Sequence, residues 1–272
     1  MLMEESYLKL IESAEWEQVS ESAKNYIEQH PDTKNAAVLD TESFGAIAVP
    51  PLDVLGFNRV LNFGINNPVS EQDLDAILQF YKANKVRRFF INVSPAAKPE
   101  STIDILTAKG LTHYNNWAQM SYELPKEIEP LKSDLEARPA HQEDKETFAY
   151  VINHAFEWPG YAGELIAASI GLPNWIHFII YEGEEPISAA AMYASGEIGS
   201  LVIGGTLEKH RGKGAQKLLI NYRSRKAIEA GCKYLVTETA EDTPDKPSPS
   251  FQNMIKSGFQ LAYIRPNWIY EF

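Results

Sequence analysis

Apolar residues recur at helical spacing near the start of the chain. Tyr7, Leu8, Ile11 and Ala14 share one face, which predicts a helix over residues 3–30. The runs "NAAVLDT" and "GAIAVP" predict two short strands, and "FNRVLNFGI" a third. Ser70, followed three residues later by Asp73, has the form of a capping box. The helix it opens carries Leu74, Ile77, Leu78 and Tyr81 on one side. "RRFFINVSP" predicts a buried strand, "ESTIDILTAKGL" a short helix ending near Gly110, and "YNNWAQMSYEL" a closing strand. The prolines and charges of "PKEIEPLKSD" mark a linker. The expected division is therefore a first domain over 1–126, a linker over 127–133 and a second domain over 134–272.

The second half opens with "LEARPAHQEDKETFAYVINHAF", a strand, a turn and a helix, then helix-like stretches or loops around "GYAGELIAASIGLP". Three strands follow as a meander, turning at "EGEE" and "SGE", where glycine and acidic residues suit tight turns. A basic loop leads into a helix from about Gly214 to Ala230, the strand "KYLVTET", a short helix near "SFQNMIKSG" and a final strand or hairpin. The halves echo each other. Both run strand, helix, strand, short helix, strand, and both end with a glycine, a large apolar residue, a tyrosine, Asn-Trp and Tyr-Glu. This pattern predicts a duplicated fold of class α/β (α+β).

Composition narrows the classes. The 272 residues suffice for two cores, and 44% hydrophobic with 23% charged residues fits a globular chain. A formal net charge of -12 disfavours a general nucleic-acid binder. The single cysteine, Cys232, excludes an internal disulfide and reads as a buried structural thiol. The six histidines show no metal-ligand spacing, so no metal is expected. The acidic, amphipathic start is unlike a targeting peptide, and no apolar run reaches membrane-spanning length. The expected compartment is cytoplasmic, with no membrane partner.

Against this acidic background, "GGTLEKHRGKGAQKLL" places Arg211, Gly212, Lys213, Gly214 and Ala215 between a strand and a helix. The P-loop pattern fails, because His210 stands five residues after Gly205 and Lys213 is followed by Gly214. The dinucleotide pattern fails, because Lys217 occupies the place of the third glycine. The physics still suits an anion. Unpaired amides at a helix start point outward, the helix dipole adds partial positive charge, and Arg211, Lys213 and Lys217 add full charge.

Roughly residues 134–272 resemble the GNAT-type N-acetyltransferase family, whose loop reads Q/R-x-x-G-x-G/A between a strand and the following helix. Arg211 and Gly214 match; Gln216 stands where glycine or alanine is usual. The resemblance implies two tandem GNAT-like domains, each a mixed, mostly antiparallel sheet flanked by helices. It implies that the amides of Gly212, Lys213, Gly214, Ala215, Gln216 and Lys217 hold the pyrophosphate of acetyl-coenzyme A or another acyl-coenzyme A. Gly204, Gly205 and Thr206 would pair with its pantetheine arm. At the corresponding place the first half reads "GINNPVSEQD", acidic and without a glycine pair. No cofactor is expected there; packing and shaping of the acceptor pocket are.

Many relatives in that family use a tyrosine acid four residues before the glycine of "GF". Here that position is Met254, which cannot donate a proton. Ser250 and Asn253, on the same short helix, are candidates to protonate the leaving sulfur or to position the coenzyme; they serve equally as a cap and a packing contact. Tyr263 is a further acid candidate or a core tyrosine. Glu238, at the end of "KYLVTET", is the candidate base or an ion-pair partner. Trp158, Tyr161 and Glu164 line an acceptor site or pack as a lid. The expected reaction is acyl transfer to a small-molecule or peptide amine by a monomer or homodimer. A non-catalytic acyl-coenzyme A sensor and a structural protein with a silent loop are the alternatives.

Overall fold

A computed structural model describes residues 5–33, 35–159 and 161–272; residues 3 and 4 of the expected first helix lie outside them. In chain order the first half runs α1 (Glu5–Gln29), β1 (Ala37–Asp40), β2 (Gly45–Ala48), β3 (Arg59–Leu61), α2 (Glu71–Ala83), β4 (Arg88–Asn92), α3 (Thr102–Ala108) and β5 (Thr112–Glu123). The second runs β6 (Glu136–Pro139), α4 (Lys145–Phe156), α5 (Ala162–Ala167), β7 (Trp175–Glu182), β8 (Glu185–Ser195), β9 (Ile198–Thr206), α6 (Ala215–Glu229), β10 (Tyr234–Ala240), α7 (Pro249–Lys256) and β11 (Gln260–Glu271). The repeated run is thus β3-α2-β4-α3-β5 and β9-α6-β10-α7-β11. In each copy the helix joins parallel neighbours, β3 with β4 and β9 with β10. Each copy turns into its last strand at a left-handed glycine, Gly110 (φ 87°) or Gly258 (φ 92°).

Two compact units result, and they are not the two sequence halves. The first comprises residues 1–120, 238–252 and 261–272; the second comprises 121–237 and 253–260. The difference from the expected boundaries has a backbone cause. β11 pairs antiparallel with β4, from Asn267 opposite Asn92 to Glu271 opposite Arg88, and its neighbour on the other side is β5. The segment expected as a linker is tied to α6. Asn221 of α6 receives the Leu131 amide at 3.1 Å and donates to the Glu129 carbonyl at 2.9 Å, which holds that segment within the second unit.

In the first unit the strand order is β1-β2-β3-β4-β11-β5. The predicted face of α2 is the buried one: Leu74, Ile77 and Tyr81 pack with Val60, Phe89 and Ile91, and Leu78 borders them. Each large side chain removed from water there contributes about 1.5–3 kcal/mol. α1 lies over Gly45, where any side chain would collide with the Trp16 ring, and Trp16 Nε1 donates to Asp40 at 3.0 Å.

In the second unit the order is β10-β9-β8-β7-β6, antiparallel except for β9 with β10. Ala215, Leu218 and Leu219 of α6 pack on Phe178, Ile180, Ile187 and Ala190. Leu131 and Leu135 close the edge of that cluster. Cys232 is buried, as expected, and burial raises its thiol pKa.

Candidate functional site

The basic loop lies in the second unit, where β9 ends and α6 begins. A short 3-10 turn over Glu208–His210 precedes it, and residues 211–214 are exposed. Gly212 and Gly214 have φ of 83° and 89°, and a Cβ on either would meet nothing within 4 Å. Both glycines are therefore required by backbone conformation, and the space in front of them is open. Gly214 is the N-cap of α6 and supplies no side-chain cap. The first amides of this 15-residue helix are left to solvent or to a ligand.

The basic side chains divide into two groups. Arg211 turns back into the protein, donating from Nε to the Thr206 carbonyl at 3.3 Å and from Nη2 to the Ala155 carbonyl at 3.1 Å. Lys213 is paired with Glu182 at 2.6 Å, and the buried His210 ring lies 2.9 Å from Glu182 through Nδ1 and 3.4 Å from Glu185 through Nε2. Lys209 pairs with Glu185 at 2.5 Å. These partners hold both carboxyls below the usual carboxylate range, chiefly through hydrogen bonds from Lys213 to Glu182 and from Lys209 to Glu185. Lys217 is exposed and makes no side-chain hydrogen bond or ion pair among the described residues. The helix start thus offers uncapped backbone N–H groups beside open space, and Lys217, on the first turn of α6, is unpaired among the described residues. That donor set fits a phosphate group.

The end of β9 is covered by α4 at Gly205 and has no β10 partner beyond Ser200. A Cβ on Gly205 would lie 2.7 Å from Ala155 Cβ and 2.8 Å from Phe156 Cε2, so the glycine is dictated by the C-terminal end of α4. Phe156 stacks on Trp158 with ring centroids 4.6 Å apart. Ser188 donates to the Gly205 carbonyl at 2.6 Å. The parallel pairing with β10 spans only Ile198–Ser200, so Leu201–Thr206 lie beyond it.

The corresponding helix start in the first unit is already occupied by its own chain. Ser70 and Asp73 form the capping box read from the sequence. Asp73 accepts the Ser70 amide at 2.8 Å and the Ser43 hydroxyl at 2.9 Å. Burial opposes its ionisation, but the Ser70 and Ser43 hydrogen bonds outweigh it and lower its pKa. A carboxylate thus stands where α6 has none.

Glu238 and Tyr263 lie together in the first unit, inside an ion cluster whose other members sequence reasoning missed. Arg265, fully buried, binds Glu15 at 2.6 Å and Glu12 at 3.1 Å and also pairs with Glu238. Arg59 bonds Glu15 at 3.0 Å and Glu238 at 3.1 Å, and Gln119 donates to both at 3.3 Å. Tyr263 donates to Glu12 at 2.5 Å. Burial lifts Glu12 above the usual carboxylate range. Burial also opposes ionisation of Glu15, but Arg265 and Arg59 hold it below that range. Burial and the Glu15 charge push Glu238 up to about 7, against Arg265 and Arg59.

Ser250 and Asn253 are exposed on α7, Ser250 in the first unit and Asn253 in the second, and Met254 is buried. Trp158 and Tyr161 precede α5 and Glu164 lies within it, all in the second unit. Glu12 and Glu15 carried one local signal: they fall among the residues of the face that buries Ile11 and Ala14.

No family model matches the sequence, and no curated protein is significantly similar to it. Solved structures are similar. A GCN5-related N-acetyltransferase from Kribbella flavida superposes with a TM-score of 0.64 at 15% identity, over 96% of this chain and 94% of that one. One from Sphaerobacter thermophilus gives 0.59 at 11% identity, over 87% and 76%. A tandem GNAT protein from the clavulanic acid biosynthesis pathway, solved without acetyl-coenzyme A, gives 0.58 at 13% identity, over 87% and 83%. The chain has the fold of the GCN5-related N-acetyltransferases, including a tandem one.

No helix among the described residues is long and apolar enough to cross a membrane.

Proposed function

We propose that this protein binds an acyl-coenzyme A at the α6 loop and transfers the acyl group to an amine. The carrying observation is the contrast between two equivalent helix starts. α6 begins at an uncapped left-handed glycine facing open space, whereas α2 begins at an internal carboxylate. The coenzyme, when bound, supplies an acyl group activated as a thioester. The amides of residues 212–217 would hold its pyrophosphate, with Lys217 adding charge and Arg211 fixing the loop to Thr206 and Ala155. The stretch of β9 beyond Ser200, which does not pair with β10, suits the amide-bearing pantetheine arm. The proposal rests on this loop and not on Glu238 or Tyr263, whose side chains are held in the first unit's ion cluster.

A second reading, coenzyme binding without transfer, is favoured by the burial of Met254 where the resemblance expects a tyrosine acid. Calorimetry with acetyl-coenzyme A and free-thiol release across a panel of amines separate the two. Binding with amine-dependent thiol release supports the transferase. Binding with no release for any amine supports the sensor. Absence of binding refutes both. Gly214→Glu is expected to weaken binding at least 100-fold, because it puts bulk and negative charge on a left-handed residue at the phosphate site. Pro68→Glu, on the exposed loop of the first unit, is the control expected to leave affinity unchanged.

A further inference from the structure

Among its described residues, the second unit buries an arginine with no counter-ion. Arg223 of α6 is 2% exposed, and no carboxylate pairs with it among the described residues. Burial alone depresses its pKa to about 9. A buried charge left without an ionic partner carries a desolvation cost that no ion pair offsets. Its hydrogen bonds are all to carbonyls. Nε reaches Leu219 at 3.2 Å, and Nη1 reaches Ala191 on β8 at 3.3 Å and Ile203 on β9 at 3.0 Å.

Those two strand carbonyls flank an irregularity. The β8–β9 register runs Ala191 opposite Ile203 and resumes at Tyr193 opposite Ser200. Leu201 and Val202 therefore stand against the single residue Met192, as in a β-bulge. The bulge begins just after Ser200, where β9 ceases to pair with β10. Two further side chains secure the same stretch: Thr237 donates to the Leu201 carbonyl at 3.3 Å and Ser188 to that of Gly205 at 2.6 Å. Gly204 lacks a side chain where the guanidinium passes; a Cβ there would be 3.2 Å from Nη2. Three alternate carbonyls of β9 are thus held by side chains, and the guanidinium holds the middle one. Arg223 also reaches one turn back along α6, toward the loop.

We propose that Arg223 is a positioning residue for the acyl-coenzyme A: it holds the β9 bulge in the form that receives the amide-bearing arm. This inference rests on the coenzyme reading above. The ligand's affinity then depends on a side chain that does not touch it.

Arg223→Met and Arg223→Lys test this by calorimetry with acetyl-coenzyme A, thermal melting, and hydrogen exchange of β9 amides in the coenzyme-free protein. Arg223→Met is expected to melt no lower than wild type, to bind at least tenfold more weakly, and to exchange faster over residues 201–205. Arg223→Lys keeps the charge but not the two-carbonyl grip, and is expected to recover part of the affinity. A purely structural arginine would instead lower the melting temperature and leave the dissociation constant alone. If wild type binds and a folded Arg223→Met protein binds within twofold of it, the inference is overturned. If that variant does not fold, Arg223→Lys binding within twofold of wild type overturns it. Failure of wild type itself to bind refutes the coenzyme reading, and this inference with it.

Discussion

Glu238 shows how much of a residue's chemistry is supplied by distant neighbours. In the sequence it is an acidic residue at a strand end, open to use as a base or as an ion-pair partner. In the fold, three carboxylates (Glu12, Glu15 and Glu238) meet two guanidiniums, so the cluster carries excess negative charge unless it retains a proton. The Glu238 side chain, 23% exposed, is the most accessible of the three. Its folded pKa of about 7 lies above the ordinary 4.5, so the folded protein holds this proton more tightly than the unfolded chain. The resulting stabilisation is full below about 4.5 and is lost as pH rises through about 7. Ionisation of Glu238 thus lowers the stability of wild type between pH 5 and pH 8, against His177, whose burial lowers its pKa to about 3 and whose contribution rises over the same range. Glu238→Gln, which cannot ionise, is expected to lack the Glu238 contribution, so its melting temperature should rise more or fall less from pH 5 to pH 8 than that of wild type; equal slopes for the two proteins would count against the assignment. Asp73, Glu182 and Glu185, with lowered values, act with opposite sign and only in more acidic solution, outside this window.

At the scale of elements, the two helix starts read correctly from local sequence because each is built from neighbours in the chain. Ser70 and Asp73 are three residues apart, and Gly212 and Gly214 set their own backbone. Ser70→Ala removes one cap of α2 and is expected to cost about 1 kcal/mol of stability, measured by urea unfolding, with acetyl-coenzyme A affinity unchanged. The fate of the basic side chains was not legible in the same way. Arg211 and Lys213 looked like phosphate ligands, yet their partners, Ala155 and Glu182, are 56 and 31 residues away in the chain. Nor could the β9 bulge be read from its own residues, since the guanidinium that flanks it comes from α6.

At the scale of the whole molecule, a duplicated strand-helix order was legible, but the grouping of its strands was not. The last strand by sequence sits in the first unit, between β4 and β5. It brings Arg265 to Glu12, 253 residues away. A fragment of residues 134–272 would therefore carry β11 without β4 and Arg265 without Glu12 and Glu15. Such a fragment is expected to show unprotected amides over residues 261–272 by hydrogen exchange. Protection equal to that in the full chain would show that β11 folds without the first unit's strands.

The sequence by itself determined the periodicities, the capping box, the left-handed glycines and the order of elements. Each of these is decided by contacts within a few residues, where the backbone's allowed angles and the spacing of apolar groups leave few alternatives. Only the tertiary structure decided which cations remain free at the loop, where β11 pairs, and which charges share the buried cluster. Those outcomes depend on strand pairing and desolvation among residues far apart in the chain, and no local pattern records them.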